Sequence, residues 1–317
     1  YLDYAHTDAF VLMKSGRIVA EHYAPHAGID QRHIVFSISK SLTALAIAAL
    51  EADGRMDPDA PVTSLLPEAA GSAYGDCTIR DVLDMRVSLA FDEAYLNTDG
   101  AYARYRRATL WNPADPSQPD ETLLAFLLTL KKDAHPHGGA HFYASPNSDL
   151  LGILIERATG ERCADVLSTR LWKPLGAKNH ASVTVDAEGT ARAAGGISVT
   201  ARDLARVGEM LRNGGKVDGK RLIPETWLAD MLTAGDHQAW VDGKSNFFPK
   251  GRYRSQWYQS GEQDGAFCAI GIHGQWLYVD PSTETTIVKL SSQPNPLDDE
   301  LKHDNFAFFR ALSAWTA

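Results

Sequence analysis

The residues best suited to chemistry are Ser37 and Lys40, the only Ser-x-x-Lys pair in the chain. Three positions apart on a helix, they share one face, so the amine can reach the hydroxyl. An amine placed there helps remove the hydroxyl proton and turns a weak nucleophile into a strong one. The next ten residues, Ser-Leu-Thr-Ala-Leu-Ala-Ile-Ala-Ala-Leu, are apolar enough for a buried helix. The alternative is a serine that merely caps the helix start, followed by a surface lysine.

Two other stretches could join this pair. Tyr143-Ala144-Ser145 precedes a helix expected to start near Ser148. A tyrosine acts as a base only if its pKa falls from about 10, and a neighbouring Lys40 ammonium would lower it. Otherwise Tyr143 packs under a helix capped by Ser145 or Asn147. The second stretch, Gly271-Ile272-His273-Gly274-Gln275, lies in a predicted strand whose glycines mark a close approach to the backbone. On an edge strand, a free N–H at Gln275 would join the N–H of Ser37 at its helix N-terminus as an oxyanion hole. His273 reads equally as a substrate-facing group or as a satisfied core histidine.

The elements that must position these residues can be read from periodicity and turn chemistry. Residues 9–23 read as a β-hairpin about Gly16, and 37–52 as a helix stopped by Asp53-Gly54. Helical patterns follow over 79–85, 121–131, 149–159 and 163–171, separated by turn residues. Helices are expected over 201–211 and 224–233. Strands return over 253–259, 266–272, 275–279 and 286–290, and a last helix spans 298–315. The predicted fold is α/β plus all-α, an antiparallel sheet flanked by helices with an inserted helical region. Residues 1–55 and 185–317 form the α/β part and 56–184 the helical part. Residues 112–119, with three prolines, read as a long surface loop.

Composition narrows the function classes. A chain of 317 residues with 44% apolar residues has ample material for a core. A net charge of −9 with an isoelectric point near 5.6 gives no footprint for a nucleic-acid partner. No segment is apolar over the ~20 residues that a membrane helix needs. Cys77, Cys163 and Cys268 show neither CxxC pairing nor zinc spacing. His135, His137 and His141 are interrupted by proline and glycines and read as a loop, so no metal and no cofactor is expected. HExxH, a phosphate-binding glycine loop and GxSxG are all absent from the sequence. The chain starts at Tyr1, so the lack of a visible signal peptide says little about export. A cytoplasmic location is favoured over a periplasmic one, and the oligomeric state, a homodimer included, stays open.

In their order, Ser37-x-x-Lys40, Tyr143-x-Ser145 and Ile272-His273-Gly274 resemble the three motifs of the serine β-lactamase and penicillin-binding protein superfamily. Leu150-Leu151-Gly152, Pro174-Leu175-Gly176 and Gly195-Gly196-Ile197 look similar to its scaffold segments. Gly271–Gln275 and Tyr253–Trp257 point to the class C-type esterase and amidase branch, especially its 6-aminohexanoate-dimer hydrolases. The resemblance implies a β-lactamase-like fold and hydrolysis of a small ester or amide through an acyl-enzyme on Ser37. It makes Lys40 and Tyr143 a joint base and acid, and puts Ser145 in their proton network. It also makes residues 84–99 a substrate-cleft loop, with Tyr95 as a substrate contact. Trp257 reads either as a cleft residue or as packed core, and Tyr95 either as a contact or as a loop aromatic covering the helical region. Two departures stand out: Ser145 replaces the usual Asn, and Ile272 or His273 replaces the usual Lys. The missing lysine disfavours efficient β-lactam turnover. The rivals are a β-lactamase or D-amino-acid peptidase, and a non-catalytic binding protein on the same fold.

Overall fold

The computed structural model describes residues 1–112, 117, 121–245, 247–262 and 265–316. Most of the proline-rich stretch at 112–119 therefore lies outside the described residues. The chain opens with β1 (Thr7–Lys14), β2 (Arg17–Tyr23), a short β3 (His33–Ile34) and α1 (Ile38–Ala52). Helices α2 (Ile79–Leu83), α3 (Gly100–Ala108), α4 (Leu123–Thr129), α5 (Ser145–Thr159) and α6 (Cys163–Leu167) follow. Next come β4 (Ser182–Val183), β5 (Ile197–Val199), α7 (Ala201–Arg212), β6 (Lys216–Val217), β7 (Lys220–Arg221), α8 (Glu225–Thr233) and α9 (His237–Asp242). The chain closes with β8 (Arg252–Arg254), β9 (Trp257–Gln259), β10 (Phe267–Gly271), β11 (Gln275–Asp280), β12 (Thr285–Ser291) and α10 (Asp299–Ala314).

A seven-stranded antiparallel sheet runs in the order β2-β1-β12-β11-β10-β9-β8. The first and last strands of the chain thus lie side by side: β1, one strand in from the β2 edge, pairs with β12. One face packs on α1 and α7. Gly208 of α7 lies so close that an added Cβ would stand 2.4 Å from Thr286 Cγ2, so only glycine allows this approach. The other face carries α10, whose Phe309 meets Trp276 and Tyr278 at ring distances of 5.4 and 5.9 Å. Helix α1 is buried on nearly every side, as a helix apolar all round should be.

The expected strand at 253–259 is in fact a hairpin, because Ser255 and Gln256 take φ of +51° and +66°. Positive φ at both central residues is the signature of a type I′ turn. Side chains, not glycine, hold it there. Asp84 accepts the Ser255 N–H at 2.9 Å, and the Gln256 amide donates to Leu83 O at 2.7 Å and accepts from Ser148 Oγ at 2.6 Å. This hairpin pairs β9 with Phe267 and Cys268 of β10, while β11, which starts at Gln275, lies between β10 and β12, so Gln275 is not on an edge strand. Two helices had no periodic signal, α3 and α9. The first of them places Tyr102 and Tyr105 in the core.

Candidate active site

Ser37 sits at the N-cap of α1, yet its side chain makes no cap hydrogen bond. Its Oγ instead accepts from Lys40 Nζ at 3.1 Å. Lys40 is 1% exposed, so the surface-lysine alternative fails along with the capping one. Its Nζ also donates to Ser145 Oγ at 3.0 Å and to Ala194 O at 2.6 Å. Loss of water lowers its pKa to about 8, against the pull of the Glu93 and Asp149 carboxylates, and the Arg192 charge lowers it further. The residue before Ser37 is strained: Phe36 has φ +43°, a conformation that costs a non-glycine residue about 1–3 kcal/mol. Its ring is held between Trp111 and His273, at 5.8 and 5.2 Å.

Helix α5 starts at Ser145, three residues earlier than expected. Pro146 suits its first turn, where the missing N–H is no loss. The cap comes from neither Ser145 nor Asn147. The carboxylate of Glu93 accepts both the N–H and, at 2.6 Å, the Oγ–H of Ser145, giving the helix N-terminus an anion. The same carboxylate takes the Tyr95 hydroxyl at 2.6 Å. Ser145 therefore joins Lys40 to Glu93. Four residues on, buried Asp149 accepts from Tyr105 and, at 2.7 Å, from the N–H of Ala194, the residue whose carbonyl receives Lys40.

Tyr143 departs from the expected arrangement. Lys40 lies over its ring, 5.2 Å from the centroid. Burial, with Tyr258 and Glu93 adding to it, holds the phenol well above its ordinary pKa. The expected fall in its pKa is therefore not met, because desolvation by burial is the largest influence on the phenol. The hydroxyl interacts with those of Ser37 and Tyr258.

A cavity of about 210 Å³ opens beside Ser37, with Tyr95, Tyr143, Tyr258, Gly271 and Ile272 on its wall. Gln275 is not on that wall. It is fully buried opposite Gly271, and its amide braces the β10–β11 turn through Ile272 O, His273 O and Ser291 O at 3.2, 2.9 and 2.7 Å. His273 occupies that turn with φ +59° and is tied to Gln293 O at 2.8 Å, so its neighbours Ile272 and Gly274 face the cavity instead. Trp257 is 0% exposed and stacks edge-on against Phe267 at 5.6 Å, which makes it core and not cleft. His137 and His141 bond to Asp76 and Ser245 at 2.8 and 2.9 Å. Among the described residues no group of three His, Cys, Asp or Glu could hold a metal ion.

A family model described as Beta-lactamase matches residues 5–311. The chain belongs to the β-lactamase family. It is 41% identical to the 6-aminohexanoate-dimer hydrolase of Paenarthrobacter ureafaciens over 291 residues, 92% of this chain and 74% of that one. Over 157 residues it is 30% identical to esterase EstB of Burkholderia gladioli, 48% of this chain and 38% of that one. A solved structure from Bacillus anthracis, provisionally assigned as a 6-aminohexanoate-dimer hydrolase, superposes with a TM-score of 0.88 at 26% identity. It covers 98% of this chain and 80% of its own. This β-lactamase family member is accordingly a serine hydrolase with the β-lactamase and transpeptidase-like fold. No helix among the described residues is long and apolar enough to cross a membrane.

Reading the sequence of this family member missed Glu93, Asp149 and Tyr258. Glu93 lies two residues before Tyr95 in the loop already singled out. The available signal was electrostatic: a buried lysine needs a carboxylate near it.

Proposed function

We propose that this protein hydrolyses small linear amides and esters through an acyl-enzyme on Ser37, in the cleft between region 1–55 with 185–317 and the helical region 56–184. The observation that carries the reading is the desolvated Lys40 amine, 3.1 Å from Ser37 Oγ on the wall of an open cavity. Ser37 Oγ attacks the substrate carbonyl carbon, and its proton passes to neutral Lys40. The Tyr143 phenol, protonated at neutral pH, gives a proton to the departing amine or alkoxide, and the Lys40 ammonium, which lies over the Tyr143 ring, returns a proton to the phenolate. Water then attacks the acyl carbon by the same path in reverse and releases the acid.

The oxyanion is received by the main-chain N–H groups of Ser37 and Ile272. Both residues line the cavity, and neither N–H has a partner among the described residues. Ile272 thus takes the part first expected of Gln275, which holds the turn from behind. Ser145 relays charge between Lys40 and Glu93, and Tyr95 lines the substrate side. The relatives' names point the same way, toward the 6-aminohexanoate dimer and esters. A panel of 4-nitrophenyl esters, the 6-aminohexanoate linear dimer and nitrocefin tests this. Turnover of esters or the dimer well above nitrocefin is expected. Nitrocefin as the best substrate would move the protein to the β-lactamases.

Glu93 makes a separate prediction. Its negative charge holds the Lys40 pKa up, so in Glu93→Gln the amine loses its proton more easily. The pH at which kcat/KM levels off should fall below the wild-type value of about 8. The plateau should also drop, by roughly 100-fold, as Ser145 and Tyr95 lose their shared acceptor. A pH–rate profile with an unmoved midpoint would remove Glu93 from the network.

A further inference from the structure

A second phenol borders the cavity beside Tyr143. Along β9 the side chains alternate between the two faces of the sheet: Trp257 and Gln259 are buried, and Tyr258 between them lines the cavity that holds Ser37. Its ring is fixed by its neighbours. Tyr253, opposite it in the β8–β9 pair, meets it edge-on at 4.8 Å, and Trp240 of α9 does so at 6.0 Å. Trp240 is itself anchored by its indole N–H, which donates to Phe248 O at 3.0 Å. The Tyr258 ring lies nearly parallel to that of Tyr143, at 21° with centroids 6.5 Å apart.

The two hydroxyls interact, and the direction of that contact follows from the charge states it favours. Ser37 favours Tyr143 as phenolate, whereas Tyr258 favours it as phenol. Tyr143 in turn favours Tyr258 as phenolate. A hydrogen bond stabilises the ionised form of its acceptor and the neutral form of its donor. Tyr143 therefore accepts from Ser37 and donates to Tyr258. A phenol has one proton to give. With Tyr258 receiving it, that proton points away from Ser37 Oγ, and the nucleophile keeps its lone pairs free of it. Burial and the Glu93 carboxylate keep both phenols neutral.

What the acid must do depends on the leaving group. A 4-nitrophenolate departs without a proton. An alkoxide or an amine anion is too basic to depart unprotonated, so its bond to carbon breaks only as a proton arrives. We propose that Tyr258 holds the Tyr143 proton toward the cavity, and that this positioning lets the hydrolase expel basic leaving groups, the amines of amides and the alkoxides of alkyl esters. In that step the electron pair of the C–N or C–O bond stays on the departing atom. The Tyr143 O–H bond breaks, a new N–H or O–H bond forms, and the phenolate regains a proton from the Lys40 ammonium. Tyr258 gives up no proton and acts through Tyr143, as a positioning residue. The proposal rests on the Ser37 acyl-enzyme reading and adds to it what decides between amides and activated esters.

The test is Tyr258→Phe, which keeps the ring and removes the acceptor. The substrates are hexanoate esters with leaving groups from 4-nitrophenol to ethanol, and the 6-aminohexanoate linear dimer. The ratio kcat/KM covers the steps up to acylation, so deacylation does not enter the comparison. The variant should lose about 100-fold on the ethyl ester and the dimer but no more than about three-fold on the 4-nitrophenyl ester. The plot of log kcat/KM against leaving-group pKa should therefore be steeper than in the wild type. Parallel plots, with one loss common to all leaving groups, would overturn the proposal and leave Tyr258 an aromatic wall. A wild type that cleaves only the activated ester would overturn it too. Fluorophosphonate labelling separates these results from failure of the acyl-enzyme reading. Fluoride departs without a proton, so wild type and Tyr258→Phe should label at similar rates. A wild type that does not label overturns the acyl-enzyme reading itself, whereas labelling with parallel plots overturns the role of Tyr258 alone.

Discussion

Ser37→Ala is expected to gain no mass on incubation with a fluorophosphonate, while the wild type gains a single adduct. Removing a nucleophile leaves only the oxyanion donors and substrate binding, so kcat on a 4-nitrophenyl ester should fall by at least about 10³-fold. The geometry makes the effect specific. Ser37 Oγ is released from capping duty and held by Lys40, and among the described residues it is the serine that lines the cavity. An adduct that persists in the mutant would place the nucleophile elsewhere. No adduct on the folded wild type would favour a binding protein on the same fold.

Lys40→Met should cost nearly as much. A positioned base contributes roughly 10²–10⁴-fold, and Lys40 also orients Ser145 through its 3.0 Å bond. The sign of the pH dependence follows from its pKa of about 8. Below that value the amine carries a proton and cannot accept another, so wild-type kcat/KM should rise ten-fold per pH unit and level off above it. Lys40→Met should lose this limb together with the rate. Because serine and lysine act as one unit, Ser37→Ala/Lys40→Met should be little worse than Ser37→Ala alone. A Lys40→Met variant that keeps both its rate and the alkaline rise would remove Lys40 from the proton path.

What was legible in the sequence was local or carried by motif. Ser37 and Lys40 meet because three residues make nearly one helical turn, and the apolar run behind them forces that turn into the core, where the amine loses water. The hairpin about Gly16 and the helices at 38–52 and 201–212 likewise depend on neighbours in the chain. Tyr143 and Ser145 stood out as a polar stretch before a helix, their roles came from the resemblance, and the structure brings both close to Lys40. Where distant segments compete, the sequence was silent or misleading. Gln275 looked like an edge donor, but its strand β11 is flanked by β10 on one side and by β12 on the other, and β12 in turn pairs with β1 from the far end of the chain. Trp257, also offered as a cleft residue, packs in the core against Phe267.

The tertiary structure alone decided the electrostatics. Glu93 reaches Ser145 from 52 positions away in the chain, and Asp149 holds the Ala194 N–H from 45 positions away; no spacing rule predicts either contact. The state of Tyr143 was likewise decided by burial, which prevailed over the nearby ammonium. The sequence by itself determined which groups could react, because nucleophile, amine and helix lie within a few residues of one another. Only the fold decided which of them lose water and which charges remain unpaired, because desolvation and Coulomb energy depend on distance in space and not along the chain.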